Sequence, residues 1–202
     1  NEETGQTIIS GMGELHLEIL VDRLLREFKV TANVGKPQVS YRETLASPGS
    51  AKGSFEREIA GKVNFAELVL EVRPLERNSG FKFSNEAGEI PGMTEEFLRA
   101  IHEGARQGAE VGPLAGYQMM DLNVILKSAV LRPEEASAIA FKISSANAFR
   151  AATRAAQAQL LEPTFKVEVL TPEEYMGSII GDLNSRRGKV NSMSAKGDLQ
   201  CI

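Results

Sequence analysis

From about Glu134 to Gln159 the sequence reads as one long helix. Ile139, Ile143, Ala146, Phe149, Ala156 and Leu160 recur at helical spacing, with Thr153 interrupting the stripe. The many alanines favour helix and leave room for a neighbour to pack close. Arg150 and Arg154, four residues apart, share a more exposed face. Just ahead of this helix, Met119–Val130 is the strongest β-prone run in the chain. A helix and a strand of this kind are expected to pack as layers, with helices on one face of a small sheet.

The rest of the chain supplies further elements. Thr7–Ser10 is a short β-prone run, and a helix is predicted over Glu14–Phe28 from the spacing of Leu17, Leu20, Val21, Leu24 and Phe28. Lys29–Val34 and Val39–Thr44 read as strands on either side of a Gly35-Lys36-Pro37 turn. Ala46–Gly53 is rich in Ser, Gly, Pro and Ala and reads as a linker. Ser54–Ile59 and Val63–Val72 read as paired strands around Ala60-Gly61, and Thr94 caps a helix over Glu95–Gln107. Gly112–Tyr117 reads as a loop. Phe165, Val167 and Val169 alternate as a half-buried strand. Thr171-Pro172-Glu173-Glu174 has the form of a capping box with proline at the first helical position, opening a helix to about Arg186 with Gly188 as its C-terminal cap. Lys189–Ser194 and Leu199–Ile202 read as strands. Strands and helices alternate without a regular repeat, so the fold class is α+β.

Composition narrows the function. With 42% hydrophobic and 25% charged residues the chain can bury a core and stay soluble. Its formal net charge of −4 argues against a free-standing nucleic-acid binder, so contact with RNA has to come from local basic patches. The single cysteine, Cys201, excludes an internal disulfide and fits a reducing, cytoplasmic setting. No stretch has the length and apolarity of a membrane span. Asn1-Glu2-Glu3-Thr4 resembles neither a signal peptide nor a natural start, which suggests a piece of a longer protein.

No segment has the GxxxxGK[ST] form of a phosphate cradle. His16 and His102 lack partner ligands at metal-site spacing and read as ordinary helix residues. No serine sits in a GxSxG elbow. Glu134-Glu135 reads as acids at a helix N-terminus.

Three groups of residues carry a family likeness. Gly11-Met12-Gly13-Glu14-Leu15-His16-Leu17 and Val34–Thr44 closely resemble the third domain of elongation factor G. Gly112-Pro113-Leu114-Ala115-Gly116-Tyr117 and Ala140-Phe141-Lys142 resemble its fourth domain. Leu161-Glu162-Pro163, Thr171–Gly177 and Ile180–Gly188 resemble its fifth. The matches keep the family's order and span nearly the whole chain. The resemblance implies a half ferredoxin-like domain over residues 1–45, an α+β domain of a ribosomal-protein type over 46–160, and the first part of a second ferredoxin-like domain over 161–202.

It also implies a role. The intact parent is a GTPase whose preceding domains bind GTP and magnesium, while this portion binds neither and is not itself an enzyme. The fourth domain reaches the decoding region of the small ribosomal subunit and helps move transfer RNA and messenger RNA by one codon. Its tip is two loops, expected near Ile59–Phe65 and Lys127–Glu135, with Gly61, Lys62, Asn64, Lys127, Ser128 and Arg132 as RNA-facing residues. Arg186 and Arg187 would face the large subunit near the stalk base, and a monomer without membrane contact is expected. The tip departs from the family pattern. Typical relatives read Ser-Gly-Gly-Arg-Gly-Gln-Tyr where this chain has Ile59–Phe65, and Gly-Ser-Tyr-His where it has Ala129-Val130-Leu131-Arg132. Such changes suit a paralogue that helps split or recycle ribosomes. An autonomous RNA-binding module with no GTPase parent is a third reading.

Overall fold

The computed structural model describes residues 5–59 and 61–202; the expectations that fall on residues 1–4 and on Ala60 lie outside the described residues. The chain forms two compact units, one ending at Pro163 and the other spanning Thr164–Ile202.

The first unit contains α1 (Glu14–Arg26), β1 (Arg42–Leu45), β2 (Gly49–Ile59), β3 (Lys62–Pro74), β4 (Phe81–Asn85), α2 (Glu95–Gly108), β5 (Leu122–Val130), α3 (Ala138–Ala155) and β6 (Ala158–Leu161). Its main sheet has the order β2-β3-β5-β4, with β4 parallel to β5 and the other pairs antiparallel. Leu68, Leu70 and Val72 of β3 and Leu122, Val124 and Leu126 of β5 point to one face. There they meet Ile101 and Ala105 of α2 and Phe141, Phe149 and Ala152 of α3. Burying a phenylalanine of this kind contributes on the order of 2–3 kcal/mol. The opposite face carries charged side chains such as Glu67, Glu71 and Arg73 alongside the buried Phe65 and Ile125.

Of the Ala46–Gly53 span that reads as a linker, residues 46–48 connect β1 to β2 and Gly49 onward is the start of β2, where glycine explains both readings. Gly49 and Gly53 lie against the backbone of α3: a Cβ on Gly49 would come within 2.8 Å of Ala156 Cβ, and one on Gly53 within 2.6 Å of Ala148 N. Gly104 of α2 approaches α3 from its other side, where an added Cβ would lie 3.0 Å from Ser145 Cβ. Ser144 Oγ donates to Gly53 O at 2.9 Å and Ser145 Oγ to Ile101 O at 2.6 Å. The small residues of α3 are therefore its buried contact surface. The expected apolar stripe holds in part: Ala146, Phe149 and Ala156 are buried, but Ile139 is 58% and Leu160 46% exposed while Ser144 and Ser145 are fully buried. α3 also starts later than expected, capped by Ser137, whose Oγ accepts from Ala140 N at 3.2 Å. Glu134-Glu135 thus belongs to a turn rather than to a helix N-terminus.

Other expectations hold or shift by a few residues. Thr94 caps α2, its Oγ1 accepting from Phe97 N at 3.2 Å. Of Val39–Thr44 only Arg42 onward is strand, paired antiparallel with β6. Thr7–Ser10 and Lys29–Val34 form no strand. β4 escapes the sequence reading: Phe81-Lys82-Phe83-Ser84-Asn85 is short, and its pairing with β5 joins positions far apart in sequence.

The second unit is a small antiparallel sheet, β7 (Leu170–Thr171), β9 (Leu199–Cys201) and β8 (Ser194–Lys196), with a 3-10 turn at Glu173–Tyr175 leading into α4 (Met176–Ser185). The half-buried strand expected at 165–169 does not form; Phe165 is 83% exposed. The capping box also fails to close, because Thr171 Oγ1 donates to Pro172 O instead of accepting from the helix. At the far end the left-handed residue is Arg187, with φ of 62°, one position before the expected Gly188. Gly188 N then reaches back to Leu183 O at 2.8 Å and Arg187 N to Asn184 O at 3.0 Å, the paired bonds of a Schellman motif.

Candidate nucleic-acid interface

β2 and β3 form a tight hairpin, Ile59 pairing with Lys62 and Glu56 with Phe65. Gly61 takes φ of 79°, a conformation glycine adopts at little cost. Lys62 and Gly61 are exposed, and Lys62 has no ion pair among the described residues. Asn64 turns its side chain back on the hairpin, its Nδ2 donating to Lys62 O at 2.9 Å. Together Gly61, Lys62 and Asn64 form the hairpin end, as expected.

The second loop is shorter than expected. Lys127 and Ser128 lie within β5, and the connection to α3 spans only residues 131–137. Ser128 is exposed and pairs with Val69. Lys127 is the extra residue where the β3–β5 register shifts, a bulge that turns its side chain over the open face. Its Nζ contacts Glu86 at 2.8 Å and Glu71 at 3.6 Å. Its pKa is raised, first by the hydrogen bond to Glu86. Glu71 in turn takes two hydrogen bonds from Arg73, at 2.5 and 3.0 Å. The expected loop placement of Lys127 is corrected: it lies in a strand, and its ammonium completes a charged network on the sheet.

The connection folds back on the hairpin. Glu135 N and Ala136 N donate to Arg132 O at 2.9 and 2.8 Å, closing a turn, and Phe65 N donates to Glu135 O at 2.8 Å. Arg132 Nη1 lies 2.9 Å from Glu135 Oε2 and 3.3 Å from Glu56 Oε1, and its guanidinium carbon stands 3.9 Å above the Phe65 ring. Its pKa is raised, chiefly by the Glu135 hydrogen bond, with burial opposing and Glu56 adding. The two stretches singled out in the sequence therefore meet at one end of the sheet. Phe65, Glu56 and Glu135 were not singled out as their partners. The hairpin register gives the Glu56–Phe65 pairing once the turn is placed, but the return of Glu135 to Phe65 leaves no trace in local sequence. Charge at this end is mixed: Glu56, Glu58, Glu134 and Glu135 stand beside Arg57, Lys62 and Arg132.

At the other end of the sheet the buried carboxylate of Glu43 accepts from Leu114 N at 2.9 Å, Ala115 N at 2.8 Å and Tyr117 N at 3.0 Å. Gly112 is required beside it, since a Cβ there would run into the Glu43 carboxylate and lie 2.6 Å from Tyr117 O. Two motifs distant in sequence are joined by this clamp.

The remaining candidates are simple in geometry. Arg186 is exposed and pairs with Asp182 at 2.8 Å across one helical turn; Arg187 follows it at the end of α4. His16 Nδ1 accepts from Met12 N at 3.2 Å, and the His102 ring packs between Phe81 and Phe83. Among the described residues no group of three or more His, Cys, Asp or Glu is placed to hold a metal ion. No helix among them is long and apolar enough to cross a membrane.

Comparison with known proteins agrees across the sequence. Three family models match in order: elongation factor G domain III over residues 1–36, domain IV over 37–157 and the elongation factor G C-terminus over 159–202. Elongation factor G 1 of Bdellovibrio bacteriovorus is 50% identical over 194 residues, which is 96% of this chain and 28% of that protein. A crystal structure of a protein from Thermus thermophilus is similar with a TM-score of 0.86 at 31% identity, over 99% of this chain and 30% of that one. The chain thus spans under a third of the length of these relatives. With the domain IV model alone covering more than half of its residues, the chain belongs to the elongation factor G family.

Proposed function

We propose that this chain is the ribosome-facing arm of a translocation factor. In this reading the end formed by the β2–β3 hairpin and the 131–137 connection enters the decoding region of the small subunit. There Lys62 meets RNA phosphate, and the arm helps advance transfer RNA and messenger RNA by one codon. A lysine suits that contact because phosphate attraction depends on charge and not on base identity. The Thr164–Ile202 unit, with Arg186 and Arg187 ending α4, meets the large subunit near the stalk base. GTP and magnesium belong to another part of the longer protein, so this chain by itself turns over no GTP.

The observation that carries the reading is the convergence of the two loops, held by the 2.8 Å bond from Phe65 N to Glu135 O. It is tested by placing a radical-generating probe on Lys62→Cys in the full-length protein, in a background without other reactive thiols, bound to ribosomes. Cleavage of small-subunit RNA at the decoding region is expected. Cleavage confined to other regions, or none above that of unlabelled protein, would overturn it.

A further inference from the structure

Arg132 touches three separate parts of the hairpin end. Glu56 belongs to β2, Phe65 to β3, and Glu135 to the connection that contains Arg132 itself. Glu56 and Phe65 are cross-strand partners, so the guanidinium reaches one rung of the hairpin from both strands at once. Phe65 is 7% exposed although it lies on the sheet face away from the helices, and the Arg132 group stands over its ring. The Phe65 amide has no β5 residue opposite it, since the β3–β5 pairing begins only at Glu67. Glu135 O takes the place of that missing rung. A planar guanidinium can stack on a ring face while its N–H groups meet carboxylates at its edge, a geometry an ammonium does not reproduce.

We infer that Arg132 is a positioning residue that fastens the 131–137 connection to the β2–β3 hairpin, and that it does not spend its charge on RNA phosphate. Lys62, nearest the turn, is then a cation free to meet an anionic partner, beside the exposed Arg57 on the same hairpin. The fastening stands on contacts within this chain; its consequence for ribosome function rests on the proposed translocation role.

Two arms separate the claims. Amide exchange is followed at Phe65 in the wild type and in Arg132→Met, Arg132→Lys and Phe65→Leu, with the Leu68 and Leu70 amides confirming that the sheet is intact. Arg132→Met and Arg132→Lys should both speed exchange at position 65 by roughly threefold or more, the scale of exposed ion pairs plus a cation–π contact. Unchanged exchange in Arg132→Met, or full protection restored by Arg132→Lys, would overturn the inference. In the full-length protein on ribosomes, Arg132→Lys and Phe65→Leu should lower the maximal rate of translocation and leave the half-saturating concentration within about twofold. Lys62→Met should instead raise that concentration. An Arg132→Lys variant that translocates like the wild type, beside an Arg132→Met variant weakened only in binding, would make Arg132 a phosphate contact and refute the proposal. If the wild type shows no translocation, the proposed function fails, and the exchange arm still decides the fastening.

Discussion

Glu43 shows how much one side chain can hold. Its carboxylate is fully buried and satisfies three backbone N–H groups of the 112–117 loop, while its own N–H and C=O bond to Gln118 and Met120. Glu43→Gln offers one acceptor and two donors to a nest made only of donors. It should lower unfolding stability by about 1–3 kcal/mol in urea titrations, because buried donors lose their partner. Glu71 makes a pH prediction on the same scale. Arg73's hydrogen bonds hold its carboxyl below the usual carboxylate range, with Lys127 adding and burial opposing. A folded pKa below the unfolded one stabilises above the unfolded value, near ~4.3, and that stabilisation is lost as pH falls through the folded value. Stability measured from about pH 6 down to pH 3 should therefore fall less steeply in Glu71→Gln than in the wild type.

At the scale of elements, glycine and alanine decide how α3 seats. Gly53→Ala would drive a Cβ to within 2.6 Å of Ala148 N, part of a helix backbone that has no flexible end to move aside. It should cost about 2 kcal/mol or more in thermal or urea unfolding, as overpacking does. Gly61→Ala adds its methyl into open space, so it should cost only the strain of a left-handed alanine, on the order of 1 kcal/mol. The same residues explain what could be read in advance. The alternation in β3, the Thr94 cap and the alanine richness of α3 are local signals, and those elements stand close to where sequence places them. The linker reading of Gly49–Gly53 failed because small residues mark a flexible segment and a close-packed strand alike. Lys127 and Arg132 were legible as cations near a tip. Their partners Glu71, Glu86, Glu56 and Phe65 depend on the bulge and on the fold-back of residues 131–137, which no spacing announces.

At the scale of the whole molecule, the proposed role has this chain deliver contact with the ribosome while another part of a longer protein delivers energy. The chain carries a net charge of −4, so in the proposed role contact with RNA depends on where its exposed cations sit rather than on its overall field. Reversing Lys62 should matter far more than reversing a lysine already paired, such as Lys127. The most direct test is single-round translocation by the full-length protein with GTP, comparing the wild type with Lys62→Glu while GTP hydrolysis is followed in the same reaction. At sub-saturating protein, movement of transfer RNA and messenger RNA should slow by about tenfold, the size of ~1.4 kcal/mol at one phosphate contact, and recover as the protein concentration rises. Translocation that proceeds equally fast in both proteins, or that the wild type never promotes, would contradict it.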